Sequence, residues 1–178
     1  MNINKSYQSP VEAIGSTPLV KLNKITAGLS SQIFAKLEFL NPMGSVKDRI
    51  AKYMIEKAER DGRLKSGDLI IENSSGNTAL GLALMAIQKG YRLKVIVRDS
   101  ISKEKLDQLK ALGIEIQMVD HTLPPESPQS YNKITPTLAS QTPNCFFPDQ
   151  HNNRENNEAH YYTTGPEIWE QMEGKIDY

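Results

Sequence analysis

Lys47 lies in LNPMGSVKDR (40–49), where Asn-Pro, Gly and Ser lead into a lysine at the point a helix is expected to begin. The positive end of a helix dipole disfavours an ammonium ion, so stability alone argues against a cation in the first turn. A reaction that needs a neutral, nucleophilic amine gains from the same field, which lowers an amine's pKa. Ser45 followed three positions on by Asp48 reads as a capping box, which starts the helix at Val46 and puts Lys47 in its first turn. A surface lysine on a charged helix satisfies the pattern equally, since a first-turn cation costs only about 0.3–1 kcal/mol.

A second cluster sits in IIENSSGNTALGLA (70–83). An apolar strand ends at Glu72, and the small polar turn Asn73-Ser74-Ser75-Gly76 leads into a helix starting near Asn77. Such a turn aims backbone N–H groups, two hydroxyls and the positive end of a helix at one point, which makes an anion pocket sized for a carboxylate or a phosphate. An ordinary strand-to-helix turn capped by Ser75 or Asn77 is the alternative. The turn lacks the Gly-Lys-Ser/Thr of a Walker loop and is not G-x-G-x-x-G, so nucleotide phosphates are not expected.

The remaining candidates are weaker. His121, His151 and His160 have no i,i+4 pair for a helical metal site, so no metal is expected and exposed or capping roles are assigned, with His151 beside Gln150 at the edge of the pocket. Cys145, the single cysteine, is flanked by aromatics and reads as a packing residue in a reducing compartment. Trp169 reads as a packing residue on a helix. Asp48 and Arg49 are expected to cap and pair locally, and Glu72 to hydrogen-bond the following turn.

The elements that must position these residues alternate. Periodicity predicts strands over 31–40, 68–73, 92–97 and 114–119, and helices over 45–62, 77–90 and 103–113. The first helix carries Val46, Ile50, Met54 and Ala58 on one stripe; the second is apolar nearly all round and closes at Gly90. Strand and helix in alternation predict an α/β fold, a parallel sheet with crossover helices. Five of the ten prolines fall between Pro124 and Pro143, so an irregular segment is expected there, with Pro136 ending or bending any helix begun at Ser127-Pro128. Residues 144–150 predict a short strand, and 154–174 one or two helices interrupted at Gly165-Pro166.

At 178 residues the chain fits one domain or slightly more, at roughly 100–200 residues per domain. Lys+Arg 21 balances Asp+Glu 21, which gives no attraction to nucleic acid or anionic lipid and leaves a small molecule as the expected partner. No window approaches the roughly 20 apolar residues of a membrane span, and MNINKSYQSPVEAIG lacks the features of a signal peptide. A cytoplasmic location is expected.

Taken together, IGSTPLVKL (14–22), KLEFLNPMGSVKDR (36–49), ENSSGNTALGLA (72–83), PDQHNN (148–153) and HYYTTGPEIWEQMEGKID (160–177) resemble, in order and over essentially the whole chain, one family. It is the pyridoxal-phosphate-dependent cysteine synthase and cystathionine β-synthase group, with the tryptophan-synthase-β-like fold. The resemblance implies that Lys47 holds pyridoxal 5'-phosphate through a Schiff base and later removes the substrate's α-proton. It makes Asn77 the partner of the cofactor's ring hydroxyl. Ser74, Ser75, Gly76, Asn77 and Thr78, with Gln150, become the grip on the substrate's α-carboxylate. The implied reaction is β-replacement on an activated L-serine such as O-acetylserine by sulfide or a thiol, in a homodimer.

The loop departs from the family's usual TSGNTG: Ser74 stands for Thr, Ala79 for Gly, and Asn73 precedes it. The proline-rich stretch also replaces an alanine-rich helix. The family's glycine-rich phosphate loop and later pyridine-nitrogen partner are not found in these residues, so the chain is expected to be a truncated, amino-terminal portion. The resemblance implies a smaller α/β domain of 1–16 and 40–150, and part of a larger cofactor-binding domain in 17–39 and 151–178. On that division Leu19, Val20, Leu22, Ile33, Phe34 and Leu37 would lack packing partners. Two other functions stay open: condensation of serine with homocysteine, as in cystathionine β-synthase, and a catalytically silent interaction or regulatory piece.

Overall fold

A computed structural model describes residues 6–178; the first five, part of the start read as leaderless and of the expected 1–16 segment, lie outside the described residues. Ser9 Oγ accepts from the Val11 N–H and opens a 3-10 turn, Pro10–Ala13. Strands β1 (Leu19–Lys21) and β2 (Phe34–Lys36) form a separate antiparallel pair. The expected strand over 31–40 is shorter than its alternation suggested, because Glu38–Leu40 turns as a 3-10 helix.

From there the predicted alternation appears: α1 (Lys47–Arg60), β3 (Leu69–Asn73), α2 (Asn77–Lys89), β4 (Arg92–Arg98), α3 (Lys103–Ala111) and β5 (Glu115–Val119). Helix α2 closes on Gly90, whose φ of +75° is the left-handed conformation that a glycine reaches without a Cβ clash. Then come α4 (Tyr131–Gln141), β6 (Cys145–Phe146), α5 (Glu155–Ala159) and α6 (Gly165–Gln171). The four-stranded sheet has the order β5-β4-β3-β6, every neighbour parallel.

Period-two alternation along the buried strands divides the core into two faces. Ile70, Val95 and Val97 face a layer built by Ala51, Ile55 and Ala58 of α1 and by α2, where nine of the thirteen residues are buried. Leu69, Ile71 and Ile96 face the opposite way, onto Ile134 and Leu138 of α4 and onto Cys145. Cys145 is half-buried as expected of a packing residue, and burial raises its thiol pKa.

Two proline expectations need correction. Pro136 lies inside α4 without ending it. It and Asn132, whose carbonyl loses its donor, are both exposed, so the loss falls on the solvent side of the helix, and the Thr135 hydroxyl donates to Tyr131 O at 3.2 Å to reinforce the turn. The helix starts after Ser130 rather than at Ser127-Pro128. At Gly165-Pro166 the chain does not break either. Residues His160–Thr164 widen into a π turn, with the Gly165 N–H reaching the His160 carbonyl, and this absorbs the missing proline donor.

The largest revision concerns Arg49, which does not pair locally. Its side chain is 2% exposed. It donates through Nε and Nη2 to Glu38 at 2.7 and 2.9 Å and through Nη1 and Nη2 to Glu167, both at 2.7 Å. Lys36 Nζ meets Glu167 at 2.8 Å and the Thr17 carbonyl at 2.8 Å, while Thr17 Oγ1 and Asn41 Nδ2 donate to Glu38. One cluster therefore ties α1, the β1–β2 pair and α6 together. Burial alone would raise the Glu167 carboxyl, but hydrogen bonds from Arg49, Lys36 and the Ser16 N–H hold it at about 2. Trp169, expected to pack, is 58% exposed on α6. The hairpin side chains Val20 and Ile33 are exposed too, and Leu19, Leu22, Phe34 and Leu37 are half-buried.

Replacing Arg49 with methionine keeps the stem, leaves Glu38 without a cation and leaves Glu167 with Lys36 alone. Urea denaturation is expected to show a loss of about 3 kcal/mol. Because folding depresses the Glu167 pKa, its contribution is complete above pH 4.5 and declines as pH falls toward about 2. Glu167→Gln is expected to remove that part of the acid dependence, measured by the same denaturation from pH 5 to 2.

Candidate active site

The carboxyl ends of parallel strands leave backbone groups and following loops facing one edge, which is where open α/β sheets bind ligands. Here that edge opens into a cavity of about 840 Å³ lined by Lys47, all of Asn73 to Thr78, Gln150 and His151 among others. All the expected site residues therefore reach one space.

Helix α1 begins at Lys47, one residue later than expected. The capping box is not the reciprocal one drawn from the sequence: Ser45 Oγ accepts from the Lys47 N–H at 3.1 Å, while Asp48 Oδ2 accepts from the Met43 N–H at 2.7 Å. Asp48 is buried, its other oxygen has no hydrogen-bond partner among the described residues, and burial raises its carboxyl to about 6. What places the lysine is the crossing of α1 over α2. A Cβ on Gly81 would stand 3.0 Å from the Lys47 carbonyl oxygen and 3.1 Å from Ala51 Cβ, so only a bare backbone lets the helices approach this closely.

The loop is wired from behind. Ser74 is buried, and its Oγ accepts from the Gly76 and Ala79 N–H groups at 3.3 and 3.2 Å, so it caps α2. Ser75 Oγ accepts from the Arg98 N–H at 2.9 Å. Thr78 Oγ1 donates to Gln150 Oε1 at 2.5 Å, and Gln150 Nε2 donates to the Asn73 carbonyl at 3.3 Å. Asn77 is exposed, with its Oδ1 accepting from Lys105 Nζ at 2.8 Å. Gln150 follows Asp149, whose φ of +50° turns the chain toward the loop, a conformation that few side chains other than Asp and Asn accept.

Glu72 makes the bond to the turn that its position suggested. Fully buried, it accepts from the Asn73 N–H at 3.1 Å and from the Gln150 N–H at 3.4 Å. Burial pushes its carboxyl up to about 8 against these two hydrogen bonds. One neutral acid thus joins both halves of the pocket. His160 was expected to be exposed or to cap, yet it is half-buried with Nδ1 3.0 Å from Thr164 Oγ1; burial, then the charges of Lys47 and Arg49, depress its pKa. His121 is exposed and meets Asp99 Oδ1 at 2.7 Å.

Arg98, Tyr131, Asn132, Phe147 and Asp149 also line the cavity and were not read from the sequence. Arg98 was legible as the residue after the apolar run of β4, at the ligand-binding end of a parallel strand. Tyr131 and Asn132 carried no local signal, being inside the segment expected to be irregular.

An amine at a helix start, opposite an N–H-rich loop in a parallel α/β sheet, is an arrangement suited to an enzyme that joins a lysine to an aldehyde cofactor. The profile of one family, described as pyridoxal-phosphate-dependent enzyme, matches residues 11–178, and the chain belongs to this family. It is 48% identical over 166 residues to cystathionine beta-synthase of Mus musculus, covering 92% of this chain and 30% of that protein. It is 42% identical to cysteine synthase 1 of Emericella nidulans, covering 93% of this chain and 45% of that one. The crystal structure of a hydrogen sulfide-producing enzyme from Fusobacterium nucleatum superposes with a TM-score of 0.88 at 36% identity, covering 98% of this chain and 56% of its own. The chain thus spans about a third to a half of the curated relatives it matches. The fold is that of the tryptophan-synthase-β-like enzymes, and the family's cofactor is pyridoxal phosphate.

The donor set fits the amine-reactive side of that cofactor. Lys47 and Asn77 share the cavity, and the buried Asn73 Oδ1 has no hydrogen-bond partner among the described residues. Gly76 is the single glycine among the described lining residues, so no second glycine-rich turn faces the cavity there for the cofactor's phosphate.

Gly81→Ala is expected to push the two helices apart and cost about 1–3 kcal/mol in urea denaturation. In the unfolded chain Glu72 ionises near 4.5 and in the folded one near 8, so the stability it supports declines as pH rises between those values. Glu72→Gln is expected to flatten the denaturation midpoint across that window.

Proposed function

We propose that the protein carries out β-replacement on an activated L-serine such as O-acetylserine, with sulfide or a thiol as nucleophile. One observation supports this reading above the others: the Lys47 amine, the N–H-rich start of α2 and the Gln150 clamp line a single cavity. Its volume of about 840 Å³ lies within the range of small-molecule sites, roughly 300–1,000 Å³.

In this reading the substrate's α-carboxylate sits against the Ser75 to Thr78 backbone, where the field of α2 and the peptide N–H groups stabilise it. Ser74 acts by capping that turn, and the Thr78–Gln150 hydrogen bond fixes the clamp. Asn77, whose Oδ1 accepts from Lys105, would be the residue that holds the cofactor's ring hydroxyl. Pyridoxal phosphate supplies, when bound, an aldehyde for the amine and a ring that accepts electron density from the substrate's α-carbon. Lys47 Nζ would hold the cofactor's aldehyde carbon and, once free, would accept the substrate's α-proton. The β-substituent then departs and sulfur takes its place.

The hairpin with 151–178 is assigned to a larger cofactor-binding domain, and 1–16 with 40–150 to a smaller one. Support comes from their separate sheets and from the exposed Val20, Ile33, Tyr161 and Tyr162.

Borohydride reduction of the purified holoenzyme followed by peptide mass spectrometry is expected to place a pyridoxyl group on Lys47. Lys47→Ala is expected to lose both the adduct and the yellow colour; an adduct elsewhere would overturn the assignment. Cysteine formation from O-acetylserine and sulfide, set against thioether formation from serine and homocysteine, separates the two reactions.

A further inference from the structure

The last residue of β4 brings a charge to this cavity that the reaction described above does not use. Arg98 is tied to the carboxylate loop through its own backbone, since its N–H donates to Ser75 Oγ. Its guanidinium lies over the Tyr131 ring, 4.5 Å from the centroid. Among the described residues nothing accepts a hydrogen bond from that guanidinium and no carboxylate pairs with it. Arg49 is held by Glu38 and Glu167, and Arg63 by Asp61 and Glu155. The acids beside Arg98 in space are engaged: Asp99 with His121, and Asp120 with the Thr122 N–H and hydroxyl.

An arginine fork stacked on an aromatic ring keeps its orientation and presents paired donors that match the oxygens of a carboxylate or a phosphate. A second cavity adjoins this residue. Arg98, Tyr131 and Asn132 line both the main cavity and a second one of about 240 Å³, whose wall includes Ser100, Asp120 and His121. A ligand whose α-carboxylate lies in the loop and whose amine meets Lys47 has its side chain left to fill the remaining space, and among the described residues Arg98 is the free cation on that wall.

We propose that Arg98 is a specificity-determining residue that binds a second anionic group, phosphate or carboxylate, on the reacting amino acids. This rests on the β-replacement reading and deepens it. The anion has two sources, the leaving group of an activated serine or the carboxylate of a thiol nucleophile that stays in the thioether product.

Each source has its own pair of probes, tested on the holoenzyme and on Arg98→Met and Arg98→Lys. For the leaving group, KM is compared for O-phospho-L-serine and O-acetyl-L-serine. For the product side, calorimetric Kd is compared for S-(2-carboxyethyl)-L-cysteine and its neutral S-(2-carbamoylethyl) isostere. In at least one pair, Arg98→Met is expected to weaken the charged member about 10- to 100-fold while leaving the neutral member within about twofold, and Arg98→Lys to restore part of the loss. The pair that responds identifies the source. Parallel shifts of charged and neutral members, or no shift in either pair, would overturn the proposal. A protein that binds these ligands without turnover would instead overturn the β-replacement reading, and the calorimetric pair would still decide the role of Arg98.

Discussion

The site depends on how closely two helices cross. Helix α1 carries the lysine and α2 begins at the N–H-rich turn, and both line one cavity. Gly81 removes the side chain that would hold them apart, and Ala51 opposite it is small enough to let the contact close. Both helices pack on the same face of the sheet, so the position of β3 fixes the turn and the crossing fixes the amine against it. Interiors packed to crystalline density transmit such constraints with little slack.

Charge inside the molecule is managed in two ways. Arg49 stays ionised because two carboxylates reach it in forked geometry, each held by further donors from Thr17, Asn41 and Lys36. Glu72 has no cation and is kept neutral by burial, so it joins the turn after β3 to the segment carrying Gln150 without placing a negative charge behind the cavity. The first arrangement binds distant parts of the chain together. The second shapes the pocket without charging it.

Most of the sheet was legible because its signals are local. Apolar runs with glycine or a charged turn at their ends placed α1, β3, α2, β4, α3 and β5 within a residue or two. The loop and lysine followed from strand-to-helix direction and from the resemblance to a known family. The missed features need contacts that no window contains. Pro136 is tolerated because it and the carbonyl it frees face solvent, and the interruption at Pro166 is absorbed by a wider turn upstream. Arg49 reaches Glu167 as well as Glu38 because an enclosed guanidinium has five N–H donors to satisfy, more than one carboxylate takes.

The separation between those two partners also has a meaning in time. Glu167 lies 118 residues after Arg49. At roughly 5–20 residues per second of synthesis, the ribosome delivers it roughly 6–24 s after the arginine. During that interval the nascent helix holds its cation with Glu38 alone, and the amino-terminal segments stay unlatched. Vectorial folding of these segments therefore includes a charge-driven closure, in which α6 latches α1 only after it emerges.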